Sequence, residues 1–208
     1  RGEDASGART PIGRCGESEV VRRLKSREIR YWEARGLALG LDRYRRYLEL
    51  FGLPLNACAG LTVCDYGCGP FGGVLSVLTD VRQAYPVDVL AATYNGWGRC
   101  SMQIRGVGAQ GRAEVPGGCC AVAFCLNALD HVPDPSVMLA DLSRILTPGG
   151  LLYLFVHLRT GAKGHYPMTY RQTMSLLAGW TIPWVGTGAD RPNEEPDLDA
   201  LWLKAVRL

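Results

Sequence analysis

At 208 residues, 47% of them hydrophobic and 21% charged, the chain can build one substantial core but not two ordinary domains joined by linkers. Its 23 basic and 20 acidic residues leave a net charge of +3, which excludes the strongly basic surface of a dedicated nucleic-acid binder. No apolar run approaches the roughly 18 residues of a membrane span, so a non-membrane domain over residues 17–208 is expected, after a mobile tail at 1–16.

Two helices are expected first. Residues 17–35 and 37–51 place Val20, Leu24 and Ile29, then Leu41, Tyr44 and Leu48, at three- and four-residue spacing. The basic residues along them read as a solvated helix face rather than a polyanion site. The core, expected from residue 57 on, then alternates strand and helix. Leu61 to Tyr66 is an apolar run closed by glycines, and Phe71 to Asp80 returns to helical period. Gln83 to Val87 is extended, with a further segment from Leu90, and Ala121 to Leu126 leads into a helix over Pro135 to Leu146. Thr147-Pro148-Gly149-Gly150 stops that helix, since proline lacks an amide donor and glycine admits positive φ. Leu151 to His157 is a buried strand, Met168 to Ala178 a helix, and Trp180 to Gly186 and Leu201 to Leu208 are strands joined by a loop over 188–199. Repeated strand-helix units imply a largely parallel sheet covered on both faces.

The eight cysteines do not read as a disulfide or zinc framework. Cys64, Cys119, Cys120 and Cys125 lie in apolar stretches, where a free thiol acts as a small hydrophobe, and no Cys-x-x-Cys pair exists. No metal and a reduced, cytoplasmic protein are the expectation.

Gly67-x-Gly69-x-x-Gly72 follows a strand, with Asp88 about twenty residues on, as a dinucleotide site requires. Missing Cβ atoms let an adenosine ligand approach the backbone, and a carboxylate at the next strand's tip can accept both ribose hydroxyls. A nicotinamide enzyme therefore stays open. Two features weigh against a diphosphate: the Asp65 carboxylate just ahead of the glycines, and Pro70-Phe71 where unobstructed amide donors are wanted.

Val63-Cys64-Asp65-Tyr66-Gly67-Cys68-Gly69-Pro70, Val87-Asp88-Val89-Leu90, Arg112-Ala113-Glu114-Val115-Pro116, the run from Phe124 to Val132, and Arg144-Ile145-Leu146-Thr147-Pro148-Gly149-Gly150 resemble, in order, the motifs of class I S-adenosylmethionine-dependent methyltransferases of the methyltransferase-11 type. That resemblance implies a Rossmann-like α/β fold with a seven-stranded sheet in the order 3-2-1-4-5-7-6, strand seven antiparallel, with the N-terminal helices as a lid. It implies S-adenosylmethionine as cofactor, with Asp65, Gly67, Cys68 and Gly69 around the methionine end and Asp88 on the ribose, followed by Val89. Ala113 and Glu114 would stand on the adenine side, and Asn127 at the mouth of the fourth strand. Tyr31 is a candidate for the methionine end, and Trp32 either joins it or packs in the core. Two departures from the family pattern are Gly117-Gly118-Cys119-Cys120, where an acidic residue commonly opens the fourth strand, and the glycine-rich third-strand region from Ile104 to Gly111.

Methyl transfer needs alignment and desolvation and only sometimes a base. Asp130 and His131, at the C-terminal edge of the fourth strand, are the candidates for that base, or else they cap the turn there. His157 and His165 are candidates for substrate contact, His165 alternatively a surface turn. The expected acceptor is an oxygen or nitrogen of a small molecule, a sugar or natural product among them, with no nucleic-acid or membrane partner. The alternatives are an NAD-dependent oxidoreductase and a non-catalytic S-adenosylmethionine-binding or interaction module.

Overall fold

The computed structural model describes residues 19–34, 37–108, 110–158, 166–187 and 200–208. The expected tail at 1–16, His165 and the 188–199 loop lie outside them. Helices α1 (Glu19–Glu33) and α2 (Leu37–Leu50) lead into strand β1 (Thr62–Tyr66), then β2 (Gln83–Val87), α3 (Ala91–Trp97), β3 (Cys120–Leu126), α4 (Pro135–Ile145), β4 (Leu146–His157), α5 (Tyr170–Leu176), β5 (Trp180–Thr187) and β6 (Ala200–Arg207). No described helix is long and apolar enough to cross a membrane.

The strands form one mixed sheet in the order β2-β1-β3-β4-β6-β5. β1 runs parallel to β2 and β3, and β4 parallel to β3, while β6 lies antiparallel between β4 and β5. Among the described residues, six strands stand where seven were expected. The missing edge is the glycine-rich region after Ile104, which contributes only single bridges, Arg105 to Val87 and Val107 to Ala113. Glycine weakens a strand because it has no side chain to pack and the most backbone entropy to lose.

The period of two along each central strand sorts the core onto two faces. Cys64, Ala123, Cys125, Leu152 and Leu154 face α4, whose buried stripe is Met138, Leu139, Leu142 and Ile145. Val63, Val122, Phe124, Tyr153 and Phe155 face the other way, against Tyr44, Tyr47 and Leu48 of α2 and Tyr94 of α3. Truncating a fully buried member of either set, such as Leu142, costs about 2–5 kcal/mol. α4 starts where Asp134 accepts from Ser136 N at 3.0 Å with Pro135 in the first turn, and α5 starts with a capping box between Thr169 and Gln172.

Two other expectations change. The helix read over Phe71 to Asp80 is instead two 3-10 turns, Gly69–Phe71 and Gly73–Ser76. Gly72 and Gly73 both hold positive φ, which interrupts any α-helical ladder at that point. Thr147-Pro148-Gly149-Gly150 also does more than stop α4. It opens β4 as a bulge, with Cys120 opposite Leu146 and Val122 already opposite Leu151. The exposed β5 carries Pro183 within its register shift, a tolerable place because an edge strand has one unpaired side.

Candidate functional site

The C-terminal ends of β1, β2, β3 and β4 share one edge of the sheet, where open α/β sheets bind ligands. At the end of β1 the chain turns sharply: Gly67 N and Cys68 N both donate to Val87 O, at 2.8 and 3.1 Å. Gly67 has φ +83, and a Cβ there would collide with Ala128 of the next crossing. Tightness at this point therefore requires glycine.

Asp65 is buried beneath the turn, and its Oδ2 accepts from Val74 N at 2.7 Å. A Cβ on Gly73 would fall inside that carboxylate, so only glycine at this position admits it. Burial pushes Asp65 up to about 7, opposed by the Val74 hydrogen bond and reinforced by the charge of Asp88. The side chain thus braces the turn from below. Asp88, at the tip of β2, accepts from Gly69 N at 3.0 Å and from Leu90 N at 2.8 Å. Burial raises it to about 6 against those two bonds, with Glu28 adding to the rise. Each of its oxygens keeps a further lone pair for a ligand hydroxyl.

Cys68 is buried, and its carbonyl accepts from Tyr44 Oη at 3.2 Å, which ties the turn to α2. Val89 stands 47% exposed between buried Asp88 and Leu90. Asn127 closes β3 with φ +57, and its buried Oδ1 has no hydrogen-bond partner among the described residues. An orphaned buried carbonyl is costly unless a ligand or water completes it. The glycine turn, the paired capacity of Asp88, exposed Val89 and unsatisfied Asn127 together fit an adenosine-bearing cofactor.

The loop expected on the adenine side is held from behind. Asp141 Oδ2 accepts from Ala113 N at 2.7 Å and from Tyr66 Oη at 3.2 Å, while its Oδ1 pairs with Arg144 Nε at 2.6 Å. Arg144 then donates to the carbonyls of Val115 and Ala113, at 2.8 and 3.1 Å. Ala113 is therefore fixed, while Glu114 stays exposed and accepts from Gly106 N at 3.4 Å. The sequence reading passed over Asp141, although its spacing of three from Arg144 on one helix face was a usable signal.

After β3, Asp130 is completely buried, with its carbonyl accepting from Tyr166 N at 2.6 Å. His131 is partly exposed and puts Nδ1 4.0 Å from Glu28 Oε2. His157 ends β4 at the same sheet edge, its ring edge-on to Phe155 with centroids 5.1 Å apart. Tyr31 does not point freely at the turn, because Arg43 of α2 donates to its hydroxyl at 3.1 Å. Trp32 takes the covering place instead: it is buried edge-on to Phe71, 5.7 Å between centroids, and its ring lies next to Gly69. Of the alternatives held for Trp32, packing in the core is what this contact shows. Arg99 fastens this end of α1 by donating to Trp32 O at 2.8 Å. Glu28 was not singled out from the sequence, and no motif there marks it.

Comparison with known proteins is consistent with this geometry. Residues 31–185 match the family model described as a methyltransferase domain. A ubiquinone biosynthesis O-methyltransferase of Pseudomonas paraeruginosa is 33% identical over 104 residues, 46% of this chain and 44% of that protein. The same-named protein of Hahella chejuensis is 27% identical over 158 residues, 69% of this chain and 63% of that one. The chain thus spans less than two thirds of the length of either relative. Among solved structures, the 1,6-didemethyltoxoflavin-N1-methyltransferase of Burkholderia thailandensis, with bound 1,6-didemethyltoxoflavin and S-adenosylhomocysteine, superposes with a TM-score of 0.62 over 98% of both chains at 18% identity.

Proposed function

The chain belongs to the methyltransferase-domain family, and from that premise we propose that it transfers a methyl group from S-adenosylmethionine to an oxygen or nitrogen of a small molecule. The observation that carries the proposal is Asp88, buried at the tip of β2 with both oxygens fixed by the amides of Gly69 and Leu90. A carboxylate so held is preorganised to accept a pair of ribose hydroxyls.

In this reading Asp88 takes the ribose and Val89 packs on the adenine. Ala113 and Glu114 border the ring, with the loop steadied by Asp141 and Arg144. Gly67, Cys68 and Gly69 supply backbone to the methionine end, Asp65 supports them from beneath, and Asn127 offers its amide oxygen. Bound there, the sulfonium supplies an already activated methyl group. The chain's own residues orient the acceptor, exclude water and receive its proton. His131 is the group placed to receive it, with His157 beside the acceptor and His165 assigned there from the sequence alone.

The names of the two relatives support an oxygen acceptor, and that of the superposed protein shows that this fold also serves a nitrogen. The family match decides against the nicotinamide alternative. All seven described cysteines are free thiols, which supports a reducing, cytoplasmic setting.

Isothermal calorimetry with S-adenosylhomocysteine tests the proposal. Micromolar binding by the full chain, weakened in Asp88→Asn, is expected. No binding, or undiminished binding by that variant, refutes it.

A further inference from the structure

We propose that Cys119 and Cys120, at the start of β3, form a thiol–disulfide exchange site: Cys119 takes up a small disulfide such as oxidised glutathione, and Cys120 displaces it to close a bond between the two neighbours. The pair lies at the opposite end of β3 from Asn127, so the proposal is independent of the methyl-transfer reading.

Both residues belong to Gly117-Gly118-Cys119-Cys120, a run that departs from the family pattern and that the cofactor site leaves unused. Cys119 is partly exposed and Cys120 fully buried beside it, with their Sγ atoms hydrogen-bonded at 3.6 Å. Exposed Gly117 and Gly118 precede them and carry no side chain to obstruct an incoming disulfide. Cys119 Sγ also donates to Pro116 O at 3.1 Å. The amides of Gly118 and Cys119 donate to Arg144 O and Ile145 O, at 2.8 and 2.9 Å, which fixes the backbone under the pair to the end of α4.

The two thiols are not equivalent. Cys120 is lowered first by a hydrogen bond from Cys64, a neighbour in the same core cluster, against the cost of burial, and then by Cys119 and the charge of Arg144. Burial and the neighbouring Cys120 hold Cys119 up to about 11. The first proton therefore leaves from Cys120, and transfer of the Cys119 proton across the S···S contact brings the charge to the sulfur that solvent reaches. That thiolate attacks one sulfur of oxidised glutathione and expels one glutathione thiolate. Cys120, ionised again, attacks Cys119 Sγ and expels the second. Each leaving thiolate takes up a proton that the pair released to water, so two protein thiols are oxidised and one disulfide is reduced to two thiols. Neighbouring Cα atoms stand about 3.8 Å apart, short of the roughly 4.4–6.8 Å that disulfides usually span, so the closed bond is strained and readily reduced.

Oxidised glutathione, added to the native full chain at pH 8, is the probe. Remaining thiols are blocked with N-ethylmaleimide at successive times and the peptides are read by mass spectrometry. A mixed disulfide on Cys119 should appear first and decay into a Cys119–Cys120 disulfide, two hydrogens lighter than the dithiol and reversed by dithiothreitol. Cys120→Ala should stop at the mixed disulfide, and Cys119→Ser should slow reaction of this segment at least about tenfold. An unreacted pair, a mixed disulfide on Cys119 that persists in wild type, or a bond from Cys120 to Cys64 overturns the proposal. The order of appearance is read in wild type, so the outcome stands even where Cys120→Ala does not fold.

Discussion

The two halves of the sheet's C-terminal edge are built differently. On the β1–β2 side each carboxylate is satisfied by backbone amides close in sequence, Asp65 by Val74 and Asp88 by Leu90, with Gly69 added across one crossover. On the β3–β4 side the polar groups wait on distant segments: His131 meets Glu28 from α1, and Asp130 O meets Tyr166. The half proposed for the cofactor is thus held chiefly by backbone amides near in sequence, and the half proposed for the acceptor by contacts between distant segments.

The largest expected effect sharpens the first half. Asp141→Ala removes the shared acceptor for Ala113 N, Tyr66 Oη and Arg144 Nε, leaving a guanidinium that is only 25% exposed without its carboxylate. It should cost about 3–4 kcal/mol in urea denaturation, and a loss below about 1 kcal/mol would mean the loop is held by other means. Gly73→Ala drives a methyl into the Asp65 carboxylate at positive φ and should cost about 2–3 kcal/mol by the same measurement. Asp88→Asn keeps one amide acceptor but loses the charge. Its affinity for S-adenosylhomocysteine should fall about tenfold to a hundredfold, the equivalent of about 1.4–2.7 kcal/mol.

A pH-dependent effect follows from the two raised carboxyls. Asp65 and Asp88 hold their protons up to about 7 and about 6 when folded, against 3.8 ordinarily. Between about pH 4 and 7 the folded chain therefore binds more protons than the unfolded one, and stability from these groups falls as pH rises through that window. Above it the curve is flat. Asp65→Asn should remove the upper part of the slope, and denaturation midpoints at pH 5, 6, 7 and 8 would reveal a failure to do so. The smallest effect belongs outside both halves: Arg45→Ala breaks an exposed pair with Asp42 and should change stability by less than about 0.5 kcal/mol.

Much of the β1–β2 edge was legible because its determinants are local. Asp65, Gly67, Gly69 and Asp88 announce a strand, a tight turn and a carboxylate at the next strand's tip, and the sheet sets them at one edge. The helix expected after the turn was not there, since apolar spacing at Val74, Leu75 and Leu78 could not reveal that two consecutive positive-φ glycines would break it. The third strand likewise carried its own warning in its glycines, but whether six or seven strands form depends on packing at the sheet edge.

What the sequence alone determined is the alternation of strands and helices, the glycine turn and the carboxylates that flank it, because these follow from backbone sterics and periodicities within a few residues. Only the tertiary structure decided that Glu28 meets His131, that Trp32 covers Gly69 and that Asp141 holds the loop at Ala113. Those contacts join segments far apart in the chain, and no local pattern encodes which side chains a folded sheet will bring face to face.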